Sequence, residues 1–311
     1  MKHVTLEGGI KVATFRTPPP EFDPFRASEA ELRMYGFPPV PDDPRHRARY
    51  RRVFDHMRRK LTVVEPIFKV NRDRIHGPRR RAIIAGTEEG TSWSGAVVQA
   101  TSGSFRWIQG DWVVPNVDAP SEGNAKCAIW IGIDGDTQLQ DGEQVFQAGV
   151  FINVDRSGSS INATFEAFWE WFPDPVVTIT NFAVSPGDMI TMVLCSSEGA
   201  GSTEGTVFFA NRTTGMGTAV ALTAPQNVTL LGRTAEWIVE TLISNNVQIE
   251  LADYGEVFFS ECRAVTTFGS IVEGGTGNDI VAFDTQGNVI SRGKLIAPTV
   301  VQCLYTGALP A

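Results

Sequence analysis

The chain lacks several residues and motifs on which common enzyme chemistries depend. Its four histidines all lie within the first 90 of 311 residues, so residues 91–311 contain none. This absence excludes Ser-His-Asp and Cys-His catalysis in that region unless the N-terminal residues supply the base, and it excludes zinc sites built on histidine. The sequence also contains no GxxxxGK or GxGxxG loop for binding phosphates. Chemistry in residues 91–311 must therefore use carboxylates, amides, hydroxyls or a few basic side chains.

Long apolar runs and paired cysteines are missing as well. The longest apolar runs, such as Met192–Cys195, are too short to cross a membrane, and the first residues lack the apolar core of a secretory signal. We expect no membrane association, and the localisation stays open. The four cysteines show no CxxC spacing, which favours buried reduced thiols, with a Cys262–Cys303 disulfide as the alternative. No metal site or cofactor is expected.

The charges divide the chain into two segments. Residues 1–90 hold 19 of the 27 Lys and Arg residues and 12 of the 35 Asp and Glu residues, a net charge of +7. Residues 91–311 hold the remaining 8 basic and 23 acidic residues, a net charge of −15, together with all seven tryptophans. A domain of this charge repels nucleic acid, whereas the basic segment alone would attract it. We interpret residues 1–90 and 91–311 as separate functional units.

The N-terminal unit is rich in proline and arginine and predicts short helices. Ser28 followed by Glu31 forms a capping box, and Gly36 ends the helix that this box begins. A second helix is predicted from a cap at Asp43 through Arg45–Leu61. The expected structure is a basic, partly helical segment.

Residues 91–311 have the pattern of an all-β domain. Short runs rich in Val, Ile, Phe, Thr and Trp alternate with Gly, Ser, Asn and Asp turns, and no helical period persists. Eleven strands are predicted, and so many closely spaced strands favour a sandwich or a barrel. The predicted strands are Phe105–Val114, Ala128–Ile133, Ala163–Phe172, Val176–Val184, Met189–Cys195, Thr206–Ala210, Ala235–Glu240, Val247–Leu251, Val257–Val265, Asp279–Phe283 and Thr299–Tyr305.

Three segments present carboxylates beside bulky aromatic residues on one face, because alternate residues of a strand share a face. Such faces line grooves that bind extended ligands, although the wet outer face of a sandwich is the open alternative. Alternation alone does not distinguish Glu236 from Glu240. The three aligned sets are Trp130, Gly132 and Asp134; Glu166, Phe168, Glu170 and Phe172; and Glu236, Ile238 and Glu240.

The acidic pair Asp134 and Asp136 also resembles the opening of a calcium loop. The EF-hand pattern requires Gly at the sixth position and Glu at the twelfth, and these positions are Leu139 and Val145 here. Calcium binding is therefore the minor alternative.

The same segments, in the same order, resemble the glutamic peptidases known as eqolisins. The likeness extends over about residues 91–265 and continues more weakly to 305. It rests on five motifs: Trp93-Ser94-Gly95-Ala96-Val97, Trp130-Ile131-Gly132-Ile133-Asp134-Gly135-Asp136-Thr137, Phe146-Gln147-Ala148-Gly149, Ala167-Phe168-Trp169-Glu170-Trp171-Phe172-Pro173 and Thr234-Ala235-Glu236-Trp237-Ile238-Val239-Glu240.

The resemblance implies a concanavalin-like sandwich of two curved antiparallel sheets with a substrate groove on the concave face. It implies an acid-acting endopeptidase in which Glu240 is general base and then general acid, while Gln147 orients water and stabilises the oxyanion. Trp130, Asp134, Glu166, Phe168, Glu170 and Glu236 are the expected groove and supporting residues. Protein or peptide substrates and a monomeric state are expected. The alternatives are a carbohydrate-binding or glycoside-hydrolysing sandwich and an inactive family member.

The sequence departs from the eqolisin pattern near the catalytic glutamine. Gln138 occupies the position of a usual cysteine, and Phe151 that of a usual aspartate. The family's fungal members carry a basic propeptide, so residues 1–90 resemble an inhibitory prosegment released by acid processing. A solvated arm that binds another partner is the alternative.

Overall fold

The computed structural model describes residues 1–19, 21–23, 26–37, 40, 44–45, 47–48, 51, 62–72, 92–136, 143–244 and 247–307. The predicted helix over Arg45–Leu61 falls mainly outside these residues. Strands dominate the described part and confirm the all-β prediction for residues 91–311. No helix in the described part is long and apolar enough to cross a membrane.

The named elements in the described part of the N-terminal unit are four strands and one α-helix, beside a short 3-10 helix at Glu7–Gly9. They are β1 (Lys2–Thr5), β2 (Lys11–Thr14), α1 (Glu29–Tyr35), β3 (Thr62–Val63) and β4 (Phe68–Asn71). The remaining strands are β5 (Trp93–Gln99), β6 (Phe105–Val113), β7 (Gly123–Ile133), β8 (Phe146–Ser157), β9 (Ser160–Trp171), β10 (Val176–Ile179), β11 (Met189–Cys195), β12 (Glu204–Asn211), β13 (Met216–Thr223), β14 (Thr234–Glu240), β15 (Ile243–Ser244), β16 (Val247–Gln248), β17 (Glu256–Thr266), β18 (Ile271–Glu273), β19 (Asn278–Phe283), β20 (Val289–Ala297) and β21 (Val300–Tyr305).

Two groups of mainly antiparallel strands can be followed through the pairing. The front sheet has the order β4-β10-β9-β8-β7-β14-β5-β19. The back sheet has the order β1-β2-β13-β12-β11-β6-β17-β18. Pairing of β17 with β21, β21 with β20 and β20 with β19 joins the two groups into one continuous sheet.

Alternating side chains of both sheets share one apolar core. On β14, Ala235, Trp237 and Val239 point into this core, which also contains Met192 and Phe209 of the back sheet. The Trp237 indole is fully buried, and its Nε1 donates to the Gln109 carbonyl at 2.8 Å. All four cysteines are buried and free, which confirms the prediction of reduced thiols.

Helix α1 forms as its sequence predicts. Ser28 Oγ accepts from the Glu31 amide, and the Glu31 carboxylate accepts from the Ser28 amide. Gly36 ends the helix with a φ of 74°. A Cβ at this position would lie 2.6 Å from the Phe15 ring and 2.8 Å from the Ala219 Cβ, so glycine is required for packing as well as for conformation.

Candidate active site

The carboxylate-bearing face of β14 is the face that alternation predicts. Trp237 and its neighbours point into the core, and Ile238 lies in a second apolar cluster on the other side of the front sheet. In register across the strands, Glu236 lies opposite Gly132 of β7, Gly132 opposite Gln147 of β8, and Gln147 opposite Glu170 of β9. Glu240 lies at the far end of β14, opposite Ala128. The predicted carboxylates and the amide therefore share one face.

Trp130 connects the middle of this face to Glu240. Its Nε1 donates to Glu240 Oε2 at 2.9 Å, and both side chains are buried. The indole has room because its neighbours on this face are glycines. A Cβ on Gly149 would lie 2.5 Å from the Trp130 Cβ, and a Cβ on Gly132 would lie 2.8 Å from the ring. The glycines of the Trp-Ile-Gly and Gln-Ala-Gly motifs thus give Trp130 the space from which it contacts Glu240.

A carboxylate fixes the orientation of the Gln147 amide. Gln147 Nε2 donates to Glu170 Oε2 at 2.7 Å, and both residues are fully buried. An amide nitrogen carries two hydrogens, so this bond uses one of them. Because a carboxylate only accepts, it also identifies which end of the amide is the nitrogen.

Apolar side chains surround these polar groups. Phe168 and Phe151 are fully buried in the same cluster as Trp130, and Glu166 lies opposite Phe151 at partial exposure. The phenyl ring at 151, where the eqolisin pattern has an aspartate, is therefore packed within the cluster. Phe172, the last member of its predicted set, packs against the cluster edge.

Asp134 does not continue the alternation of β7. The strand ends at Ile133, and Asp134 has a φ of 69°, so its side chain leaves the predicted row. Its carboxylate accepts from the backbone amides of Leu231 at 2.7 Å, Gly232 at 3.0 Å and Arg233 at 2.9 Å. Asp134 therefore ties the end of β7 to the segment that leads into β14. Because both carboxylate oxygens of Asp134 already accept hydrogen bonds, this arrangement does not support the calcium-loop alternative.

Glu236 is a fully buried carboxyl group beside other acids. Burial raises its pKa well above the usual value, and the charges of Asp134 and Asp136 add to the increase. Burial also raises the pKa of Asp134 to about 6, although its backbone hydrogen bonds act in the opposite direction. No group of three or more His, Cys, Asp or Glu side chains in the described residues is arranged to hold a metal ion.

A second buried aspartate makes stability depend on pH in a testable way. Burial raises the pKa of Asp111 in β6 to about 6 even though Arg212 Nη1 donates to it at 3.1 Å. The folded chain therefore holds this proton up to a higher pH than the unfolded chain, so the contribution of Asp111 to stability falls as pH rises from 4 to 7. We expect Asp111→Asn to lower the value of the unfolding free energy at pH 4 minus that at pH 7 by about 2 kcal/mol relative to the parent.

Urea unfolding at the two pH values, in a Glu240→Gln background to prevent self-digestion, measures this effect. Asp279→Asn, at an exposed position of β19, is the matched control and should keep the parental difference. An unchanged difference in Asp111→Asn would contradict the assignment of the raised pKa.

Gln147 and Glu240, the candidate catalytic pair, are almost fully buried in this structure. Gln147 and Glu170 are 0% exposed and Glu240 is 4% exposed. In this structure the two proposed catalytic side chains therefore expose little surface to a substrate.

Comparison with known proteins agrees with the fold and the motifs. Aspergillopepsin-2 from Aspergillus niger is 27% identical over 231 residues, which cover 68% of this chain and 77% of that protein. Scytalidopepsin B from Scytalidium lignicola is 27% identical over 189 residues, covering 58% and 66% respectively. Both are similar in sequence to residues of this chain well beyond any single motif.

Solved structures show the same fold. Scytalido-glutamic peptidase with a peptide-based transition state analogue matches with a TM-score of 0.56 at 23% identity, covering 69% of this chain and 98% of that one. SCP-B, an eqolisin in complex with the tripeptide Ala-Ile-His, matches with a TM-score of 0.54 at 23% identity and the same coverage.

The fold, the motifs and these relatives define the class as glutamic-type peptidases. The Peptidase A4 family model matches residues 91–305, and the chain belongs to this family, the eqolisins. Residues 1–90 lie outside the match.

Proposed function

We propose that this protein is an acid-acting endopeptidase that hydrolyses peptide bonds with Glu240 and Gln147. Glu240 takes a proton from water as the water attacks the scissile carbonyl carbon, and it later gives that proton to the departing nitrogen. Gln147 donates from Nε2 to the carbonyl oxygen as negative charge grows there. Substrates are proteins or peptides in extended form.

The hydrogen bond between Gln147 and Glu170 is the observation that carries this proposal. This bond directs one of the two amide hydrogens of Gln147 to Glu170. Because the amide group is planar, the same bond also fixes the direction of the second hydrogen. A donor held in this way loses little energy to reorganisation when an oxyanion forms. Trp130 fixes Glu240 in the same manner from the neighbouring strand. The other named residues support this arrangement. Phe168 and Glu166 line the same face, and Asp134 anchors the segment that leads into β14. Glu236 lies on the same face of β14 as Glu240.

The direct test is digestion of a denatured protein at pH 3–4 after acid incubation of the chain. Peptide products from the wild type, identified by mass spectrometry, support the proposal. A parallel incubation with polysaccharides tests the carbohydrate alternative. Release of sugars without peptide cleavage would reject the peptidase assignment.

We further propose that residues 1–90 keep the enzyme latent until acid cleavage between about Lys60 and Trp93. The burial of Gln147 and Glu240 supports latency. The opposite net charges of the two segments, +7 and −15, support an attraction that weakens as carboxylates gain protons. Wild-type chain that stays uncut at pH 3–4, measured by intact mass, would rule out self-processing.

Loss of the Trp130 hydrogen bond should slow the reaction without destroying the fold. We expect Trp130→Phe to lower kcat/KM by about 10- to 100-fold, because hydrogen bonds to charged groups contribute about 1.5–3 kcal/mol. The measurement is cleavage of a quenched fluorescent peptide at acid pH. Trp171→Phe is the matched control, since Trp171 is equally buried but its Nε1 has no hydrogen-bond partner among the described residues. Equal losses in both variants would show that packing, not the hydrogen bond, is responsible.

A further inference from the structure

The first strands of the N-terminal unit complete the back sheet. In β2, Thr14, Ala13 and Val12 pair with Val220, Ala221 and Leu222 of β13. Ile10 and Val12 are each 3% exposed and belong to the main core of the domain. The N-terminal unit is therefore part of the sheet and of the core from its first strands onward.

The chain then crosses the outer surface of the back sheet. Phe15, Phe37 and Val40 cover an apolar cluster of that sheet, which includes Phe208 and Ala219. The Phe37 and Phe208 rings have a centroid distance of 6.0 Å. Full burial of a large apolar side chain contributes about 1.5–3 kcal/mol, and these three partly buried side chains each contribute a part of that.

Residues 62–71 tie both sheets together. The Thr62 amide donates to the Gly215 carbonyl at 2.6 Å and the Val64 amide to the Gly217 carbonyl at 2.9 Å, which attaches β3 to β13 of the back sheet. A few residues later β4 pairs over its full length with β10, which would otherwise be the edge strand of the front sheet.

Side chains reinforce the β4 attachment. Asn71 Nδ2 donates to Thr178 Oγ1 at 3.2 Å, and Asn181 Oδ1 accepts from the Ile67 amide at 2.8 Å. Asn181 Nδ2 in turn donates to the Glu65 carbonyl at 2.9 Å. Asn71 of the N-terminal unit and Asn181 of the family region, residues 91–305, thus join the two parts of the chain through their amide side chains.

Two exposed ion pairs among the described residues connect the two ends of the unit. Lys2 Nζ lies 2.9 Å from Glu65 Oε1, and Arg72 Nε lies 3.0 Å from Glu7 Oε1, so each pair joins the start of the unit to its end. The strand pairing and apolar contacts to the family region do not depend on charge. They differ in this respect from an electrostatic latch.

We propose that residues 1–72 are a permanent structural subunit of the enzyme. A cut between residues 73 and 91 would convert the chain into a stable two-chain protein, in which residues 1–72 stay bound to residues 92–311 as the strands at both sheet edges. This rests on the proposed acid cleavage and narrows it: residues 1–72 stay bound after the cut, so cleavage would relieve latency by opening the connection between residues 73 and 91 and not by releasing the whole N-terminal unit. Its partner surface is the edge of β13, the edge of β10 and the outer apolar cluster of the back sheet.

The test uses an engineered cut in an inactive chain. A recognition sequence for a site-specific protease, flanked by Gly-Ser spacers, is inserted between residues 82 and 83 of the Glu240→Gln variant. The folded protein is cut at pH 7 and passed through size-exclusion columns at pH 7 and pH 4, and each peak is analysed by intact mass. We expect both fragments in one peak at the uncut volume at both pH values. A separate N-terminal fragment at either pH would overturn the proposal. Because the variant is inactive by design, this result is independent of whether the chain is a peptidase.

A matched pair of substitutions tests the proposed surface. In the cut protein, Val12→Asp should weaken the association of the fragments by about 100-fold, because it places a charge in the apolar core. Lys11→Asp, at the adjacent exposed position, should weaken it less than about 5-fold. The fragment affinity is measured from dissociation during urea titration. Equal effects of the two substitutions would show that β2 is not a binding strand.

Discussion

Replacing Glu240 by glutamine is expected to lower kcat/KM for peptide cleavage at acid pH by at least about a thousandfold. An amide has nearly the shape of the carboxyl group and can still accept from Trp130 Nε1, but it cannot take a proton from water. General acid-base catalysis contributes about 10²- to 10⁴-fold, and Glu240 is proposed to act in both steps. The measurement is steady-state cleavage of a fluorogenic peptide, with the fold checked by circular dichroism.

Two further variants make this experiment decisive, one as a control and one as the competing assignment. Glu204→Gln changes an exposed glutamate of β12 and should keep the parental rate. Glu236→Gln changes the other glutamate on the same face of β14. Strand alternation alone does not tell which of the two glutamates is the base. A large loss in Glu236→Gln together with near-parental activity in Glu240→Gln would reverse the assignment of the base.

Removal of the Gln147 amide is expected to lower kcat by about 10²- to 10³-fold with little change in KM. The proposed hydrogen bond to the oxyanion exists only as negative charge develops, so its loss affects the transition state more than substrate binding. Gln147→Ala removes this donor and leaves the Glu170 carboxylate without its contact at 2.7 Å.

Gln147→Glu sharpens the same test. It keeps the size of the side chain but replaces the donor by a second carboxyl group against Glu170, and two adjacent carboxylates disfavour each other's ionised form. We expect it to be as inactive as Gln147→Ala. Gln302→Ala in β21, whose amide contacts Glu256 on the surface, is the control. A loss of activity in Gln147→Ala that resides entirely in KM would contradict the oxyanion role.

The sequence predicted the face of the site well because side chains alternate along a strand by geometry. Glu236 and Glu240 lie where this rule requires, and the motifs around Trp130 and Gln147 are on neighbouring strands. The specific contacts were beyond prediction. Trp130 reaches Glu240 across 110 residues, and such register between distant strands is not encoded in any local pattern.

The prediction for Asp134 shows where alternation stops. It was extended one residue past the end of β7, and a positive φ turns the side chain away to accept backbone amides. The strand predicted over Val176–Val184 likewise ends early at Ile179, where a turn follows, and only Val247–Gln248 forms from Val247–Leu251. Turn geometry at strand ends depends on tertiary contacts that the pattern does not contain.

The strands of the N-terminal unit were not predicted. β1 to β4 are two to four residues long and lie among prolines and arginines, so they carry almost no alternating signal. Their stability comes from partners in β10 and β13, more than 100 residues away. Strands as short as β1 to β4 form because a neighbouring edge offers hydrogen bonds, not because of their own propensity. The longer strands β8, β13 and β20 were also not predicted as strands.

The pairing of β4 with β10 has a consequence for how this protein is produced and handled. A recombinant chain that starts at residue 91, the limit of the family match, would present the unpaired amides and carbonyls of Val176–Ile179 on one sheet and of β13 on the other. Exposed strand edges are a template for pairing between molecules, so we expect such a shortened chain to aggregate more readily than the full-length protein. In the full-length chain, residues 1–72 already occupy both edges, which protects these edges from pairing with another molecule.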